Sequence, residues 1–168
     1  MATPRILKNF NLYVGGTTLF GKVEEVTLPD LTVITEAHRA GGMDTPIDID
    51  MGIEALSLSW KSAEHSSEVY SMFGLRNQNS VDVQFRGALV DDRTVTPYIV
   101  TARGMMKSIK GGTASPSAKN PMEATVSLRY YKLEIGGRTT LEIDVDNLVR
   151  QTGDGVDQMA EIREILNG

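Results

Sequence analysis

The last forty residues limit the fold more than any other part of the chain. Tyr130-Tyr131-Lys132-Leu133-Glu134-Ile135 and the run Arg138 to Val145 are extended in character and are joined by Gly136-Gly137. Glycine reaches positive φ without steric cost, so a glycine pair between two β-forming runs predicts a hairpin turn. A return loop then leads to Gly155-Val156-Asp157-Gln158, and the hydrophobic period changes. Val156, Met159, Ile162, Ile165 and Leu166 recur at helical spacing, and Asp157 falls in the first turn, where the helix dipole favours an acid. The tail therefore predicts a hairpin, a return loop and a terminal helix.

Upstream the chain is mostly extended. Asn11 to Val14 and Thr18 to Phe20 flank Gly15-Gly16, Lys22 to Leu28 stops at Pro29, and Leu31 to His38 is rich in β-branched residues. Leu56, Leu58 and Trp60 alternate with Ser57, Ser59 and Lys61, the period of a strand with one wet face. Val81, Val83 and Phe85 alternate again, Val95 to Arg103 continues with Ile99 and Val100, and Ala124 to Ile135 forms a long strand with Val126, Leu128 and Tyr130 on one face. Between these runs, Ser62 opens a short helix of about ten residues, with Val69, Met72 and Phe73 on one face and Gly74 at the C-terminal cap. Ser66 and Ser67 are alternative N-caps for it. Two stretches break the pattern. Arg39 to Gly52, interrupted by Gly41-Gly42, Pro46 and Gly52 and punctuated by Asp44, Asp48 and Asp50, is expected to be a long loop or extended arm. Lys110 to Pro121, with Gly111-Gly112, two serines and two prolines, is expected to be a surface loop. The expectation is one mainly β domain over residues 1–168: two packed antiparallel β-sheets, sandwich- or barrel-like, with one short inserted helix and a C-terminal helix.

At 168 residues, a single domain would bury roughly 68–70% of its unfolded surface, enough for a sizeable core. Cysteine is absent, which excludes disulfides and thiolate chemistry. Met1 to Lys8 lacks the apolar stretch of a signal peptide and no run approaches the ~18 apolar residues of a membrane span, so the chain is expected to be soluble when made. The net charge is -5, from 22 acids against 17 lysines and arginines. The main basic cluster, Arg103 to Lys110, is modest, and this balance argues against stable nucleic-acid binding, although DNA could still pass nearby. His38 and His65 are the only histidines, and neither has a partner three or four residues away with which to share a metal. Asp48 to Glu54 places acids at alternate positions but lacks the twelve-residue loop of a calcium site, and Asp144-Val145-Asp146 has few aromatics around it to stack a sugar. No catalytic, cofactor or metal site is predicted. What the chain does hold is more apolar extended sequence than one small sandwich needs. Unpaired strand edges invite another chain, and closure of copies into a barrel removes them.

Several blocks, in order, are similar to one family. They are Asn11-Leu12; Val26-Thr27-Leu28-Pro29-Asp30-Leu31; His38-Arg39-Ala40-Gly41-Gly42-Met43-Asp44; Asp50-Met51-Gly52-Ile53-Glu54-Ala55-Leu56; Phe73-Gly74-Leu75; and the terminal set above. Over nearly its whole length the chain resembles the major tail tube proteins of contractile-tailed bacteriophages and R-type pyocins, with a longer Gln151-Thr152-Gly153-Asp154 before Gly155 and a divergent Thr113 to Pro121. The resemblance implies a fold like that of the type VI secretion tube protein. It also implies hexameric rings, stacked into a hollow tube inside a sheath, whose strands join a continuous inner barrel. The implied partners are further copies, the sheath protein, and tape-measure and baseplate proteins, with DNA only in transit. The implied location is a virion or tailocin particle assembled in the bacterial cytoplasm. Arg39, Gly41, Gly42, Met43, Asp44, Asp50, Met51 and Gly52 would belong to an arm that reaches a neighbouring ring. The strands Leu31–His38, Leu56–Lys61, Val81–Leu89 and Val95–Arg103 would line the lumen, with Thr32, Ser57, Ser59, Asp82 and Gln84 facing the channel. A DNA conduit must not hold its cargo, so the bore is expected to carry more acids than bases. The alternatives are a type VI-like secretion tube protein or, from another class, a small β-sandwich hydrolase or sugar-binding domain.

Overall fold

A computed structural model describes residues 3–79 and 81–168. In chain order the elements are β1 (Ile6–Val14), β2 (Thr17–Thr18), β3 (Val23–Thr27), β4 (Val33–His38), β5 (Ile47–Ile53), β6 (Leu56–Ser62), α1 (Ser67–Ser71), β7 (Val81–Val90), β8 (Val95–Lys110), β9 (Met122–Ile135), β10 (Arg138–Asp144), β11 (Val149–Thr152) and α2 (Ala160–Asn167). The fold class is as expected: mainly β, two sheets and two helices. Neither helix is long or apolar enough to cross a membrane.

The architecture follows from two long strands. β8 and β9 pair antiparallel from Tyr98↔Ile135 to Lys110↔Glu123. The other edge of β9 is shared end to end: Met122 to Leu128 pairs with β6, and Tyr130 to Ile135 pairs with β10. One sheet thus divides into two wings. The first wing runs β3-β6-β9-β8, using the N-terminal half of β9 and the C-terminal half of β8. The second runs β11-β10-β9-β8-β7-β1-β2. The register slips between Arg103 and Gly104 and again between Met106 and Ser108, and such bulges bend and twist the strands that carry them. Gly104 is required at this bend, because a Cβ there would lie 1.9 Å from the Ser127 carbonyl oxygen.

The inward faces of both wings form one core. Leu58 and Trp60 of β6, Val83 and Phe85 of β7, Val100 of β8 and Val126 of β9 are all buried in it. The alternation read in β6 is borne out residue by residue, with Leu56, Leu58 and Trp60 inside and Ser57 and Lys61 exposed. The two "sheets" that pack are therefore wings of one continuous sheet, and the separate sheet is a two-stranded ribbon, β4–β5.

Three local expectations need correction. The inserted helix is only five residues long, and Ser66, the alternative cap, stands at its start. Ser62 instead ends β6, buried, its hydroxyl donating to the carbonyls of Lys22 (3.3 Å) and Glu64 (2.9 Å). The stretch Arg39 to Gly52 is only partly loop, since Ile47 to Ile53 is a strand hydrogen-bonded to β4. The terminal helix begins at Ala160, because the residues before it form a turn around Asp157. The Asp157 carboxylate accepts from the N–H groups of Arg150 (3.1 Å) and Met159 (3.0 Å) and pairs with Arg163 at 2.7 Å.

Candidate assembly surfaces

The β4–β5 ribbon alternates its side chains between two faces. Asp48 and Asp50 share one face with Thr35 and Ala37; Ile47, Ile49 and Met51 share the other with Ile34, Glu36 and His38. The four apolar side chains of this second face, Ile34, Ile47, Ile49 and Met51, are 44%, 54%, 42% and 56% exposed. A two-stranded ribbon alone in water is marginal, and one with a bare apolar face more so.

The sequence-selected arm residues divide between the two ends of this ribbon. At the tip, Arg39 Nε donates to the Met43 carbonyl (3.2 Å), and Met43 N–H donates to Ala40 (3.1 Å), closing a turn that includes Gly41 and Gly42. Asp44 is exposed beside it. At the root, Asp50 accepts from Gly52 N–H at 2.7 Å, and Arg150 of β11 reaches Asp50 at 3.3 Å. Gly52 has φ +109°, a backbone conformation that side-chain-bearing residues avoid, where the β4–β5 register slips. Met51 lies on the apolar face. The tip is thus self-braced, and the root is fastened to the body.

The residues selected as channel-facing fall in three places. Ser57 and Ser59 point outward from the first wing, beside Ser127, Thr125 and Thr27 on neighbouring strands. Asp82 and Gln84 point outward from the second wing, where Asp82 accepts from Arg103 (2.8 Å) and Gln84 from Arg86 (3.1 Å). Thr32 lies in neither wing; it precedes β4, and its carbonyl accepts from Glu54 N–H at 2.9 Å. Leu31 to His38, grouped with the lumen strands in the sequence, is instead the first half of the ribbon.

The strand margins also differ. The outer edge of β11 is covered by the return loop: Gln151 bridges Asp157, Thr152 N–H donates to Val156 (3.1 Å), and Gln158 N–H donates to Arg150 (2.9 Å). Among the described residues, the outer edges of β3, of the β8 segment Met105–Lys110 and of β1 from Ile6 to Asn11 have no backbone partner. Sequence reading missed this asymmetry, because capping of β11 depends on loop hydrogen bonds that have no periodic signature.

α2 adds a further exposed apolar patch. Its inward side chain is Arg163, which donates to the Leu148 carbonyl (3.1 Å) and to Asp157, whereas Val156, Ile162, Ile165 and Leu166 are exposed. Met159, the remaining residue of the stripe, is half-buried.

The groups considered for chemistry are engaged locally. The carbonyl of Asn120 can only accept, so His65 Nε2 donates to it (2.9 Å) and Nδ1 accepts from the Tyr70 hydroxyl (3.0 Å), tying α1 to the loop before β9. His38 is exposed on the ribbon. Asp144 binds Asn147 (2.7 Å), and Asp146 pairs with Arg129 (3.0 Å) and Asn79 (3.0 Å). Backbone N–H groups of Met159 and Arg150 hold the Asp157 carboxyl below its ordinary range, and the Ser66 hydroxyl does the same for Glu68. Burial raises the Tyr131 hydroxyl to about 12. A groove of about 730 Å³ at the ribbon root is floored by Leu56, Leu128 and Ile143; of its three carboxylates, Asp50 and Asp144 are engaged as described, and Glu54 is the third. Among the described residues no group of three metal-ligating side chains occurs.

The chain is similar to known proteins in sequence and in fold. The chain is 29% identical to the tail tube protein of Escherichia phage P2 over 168 residues, covering 97% of each chain. It is 31% identical to the major tail tube protein of Serratia phage KSP20 over 151 residues, covering 89% of this chain and 88% of that one. Among solved structures, the sheath/tube terminator of the extracellular contractile injection system PVC superposes with a TM-score of 0.60 at 13% identity, over 79% of this chain and 97% of that one. A chain of the PVC sheath-tube complex superposes with a TM-score of 0.56 at 13% identity, over 74% and 87%. At such identities the structural likeness speaks for the fold alone. A family profile described as phage tail tube protein FII matches residues 4–166, so the chain belongs to that family.

Proposed function

We propose that the chain is the repeating structural subunit of the inner tube of a contractile tail or tailocin, built from stacked hexameric rings, with no catalytic role. The observation that carries this reading is the β4–β5 ribbon, whose tip is braced and root anchored while its apolar face is left bare. Such a ribbon gains stability when a neighbour covers that face. Arg39, Gly41, Gly42, Met43 and Asp44 then lie at the end of the arm that meets the adjoining ring, Met51 contributes to the apolar contact, and Asp50 and Gly52 fix the arm's angle at its root. Sheath and baseplate proteins surround the tube, tape-measure protein and DNA occupy its lumen in transit, and assembly takes place in the host cytoplasm.

The test is to replace residues 36–49 by an Asn-Gly turn between Thr35 and Asp50, which pair in the native ribbon. Electron microscopy should show tubes for the parent chain, and for the variant a folded protein that no longer forms tubes. Normal tubes from the shortened chain would rule out the arm. A parent chain that stays monomeric at every concentration would rule out the tube.

A further inference from the structure

We propose that α2 braces the ribbon through β11: Arg163 of α2 fixes the start of β11, and Arg150 of β11 sets the ribbon's angle through Asp50. This linkage is a property of the single chain, and only its use in ring stacking rests on the tube reading above.

The ribbon has few ties to the body. Among the described residues, neither β4 nor β5 pairs with a strand outside the ribbon. At its base Ile53 packs against the core, and the Thr32 carbonyl accepts from Glu54 N–H. Gly52 and the register slip between Val33 and Thr35 lie at this same base, where the ribbon can pivot. Beyond the base, among the described residues, one polar side-chain contact joins ribbon to body: Arg150 Nη2 donates to the Asp50 carboxylate at 3.3 Å. The ribbon's direction is therefore set by where Arg150 stands.

Arg150 is itself held by the segment that leads into α2. Its N–H donates to the Asp157 carboxylate (3.1 Å) and its carbonyl accepts from Gln158 N–H (2.9 Å), so both of its backbone polar groups engage the return loop. Just before β11, Leu148 has φ +52°, a left-handed conformation that a leucine keeps only when its surroundings fix it. α2 supplies that fixation: one guanidinium nitrogen of Arg163 donates both to the Leu148 carbonyl (3.1 Å) and to the Asp157 carboxylate (2.7 Å). A single side chain thus ties the strained entry of β11 to the carboxylate that receives Arg150.

The path Arg163–Asp157–Arg150–Asp50 is continuous, with contacts between 2.7 and 3.3 Å. The root groove is lined by both of the elements it joins, Met159 and Ile162 at α2 and Gly52 and Ile53 at the ribbon base, and it leaves room for the base to shift when the path slackens. Coupling between two sites is reciprocal, so loosening α2 frees the ribbon and freeing the ribbon loosens α2. A ribbon already held at one angle has less freedom to lose on meeting an adjoining ring, which favours stacking.

The test uses single subunits at dilutions where sedimentation shows no assembly. The chain has no cysteine, so spin labels at Asp44→Cys, exposed near the ribbon tip, and Lys107→Cys, exposed on β8, report the ribbon's angle without interference. Arg163→Met removes the α2 donors. Asp50→Asn breaks the last tie while keeping Oδ1, which accepts from Gly52 N–H. Pulsed electron resonance should give a narrow distance distribution for the parent, a broader one for each variant, and no further broadening when the two are combined, because Arg163 acts through Asp50. Reciprocally, Asp50→Asn should speed hydrogen exchange in residues 160–167 about two- to fivefold, the range expected of a partly exposed ion pair. An unbroadened distribution in Arg163→Met, additive broadening in the double variant, or unchanged exchange of α2 in Asp50→Asn would overturn the linkage. The last readout decides alone if Arg163→Met does not fold. A parent chain that never forms tubes would overturn the tube reading and leave the linkage standing.

Discussion

The apolar face of the β4–β5 ribbon can be weighed directly through Ile47→Thr with Ile49→Thr. Threonine is β-branched and keeps the strand preference, so the ribbon itself should persist. The two side chains are 54% and 42% exposed in the isolated chain, together about one full isoleucine left in water. Burying that much apolar surface contributes ~1.5–3 kcal/mol per ribbon. At a factor of ten per about 1.4 kcal/mol, the double variant should raise the concentration needed for tube formation about ten- to one-hundred-and-fifty-fold. The isolated subunit should change by only about 0.5 kcal/mol, because both positions are on its surface. Sedimentation across a dilution series measures the critical concentration, and a thermal melt followed by circular dichroism reports the subunit. If the variant melts like the parent and still polymerises at the parent's concentration, the face is not buried in the assembly and the reasoning fails.

Other perturbations address the body of the subunit. Gly104→Ala would place a methyl 1.9 Å from a backbone oxygen that cannot rotate away, and should cost about 3 kcal/mol or more, read as a lowered denaturant midpoint or insoluble expression. Trp60→Ala empties the largest fully buried site and should cost ~3–5 kcal/mol by chemical denaturation with tryptophan-independent detection. Asp157 is held below its ordinary carboxyl range by the Met159 and Arg150 N–H groups, so its contribution is present above about pH 3.9 and is lost as acid protonates the folded form. Hydrogen exchange should therefore show α2 and the β11 edge loosening below that pH, and Asp157→Asn should show the same loosening already at neutral pH. Unchanged protection in that variant would remove Asp157 as the fastener.

Local patterns were legible where one residue's environment repeats at short range. Leu56, Leu58 and Trp60 face the core because a pleated strand has a period of two, and Gly136-Gly137 turns because no side chain obstructs positive φ there. Where neighbours distant in sequence decided the outcome, the reading drifted. Ser62 looked like a helix cap because its hydroxyl suits one, yet it ends β6, paired with Val23 on one side and Met122 on the other. The acids at Asp48 and Asp50 looked like loop punctuation, but they form the wet face of a strand whose partner is β4. The apolar stripe of α2 was legible as a helical period, but the side it presents was not, because Arg163 takes the inward position.

The segment from Arg39 to Gly52 stands out in the chain alone, by its glycines and acids; its division into a braced tip and an anchored root could not be read there. By itself the sequence determined most of the strand-forming segments, the glycine turns between them, the absence of cysteine and the family resemblance. Those properties are carried by side-chain type and spacing along a few neighbouring residues. Only the tertiary structure decided that β8 and β9 bend one sheet into two wings, that β11 is closed by its own return loop, and that β3 and the end of β8 remain open. Each of those depends on which backbone N–H meets which carbonyl across tens of residues, and no local pattern encodes that choice.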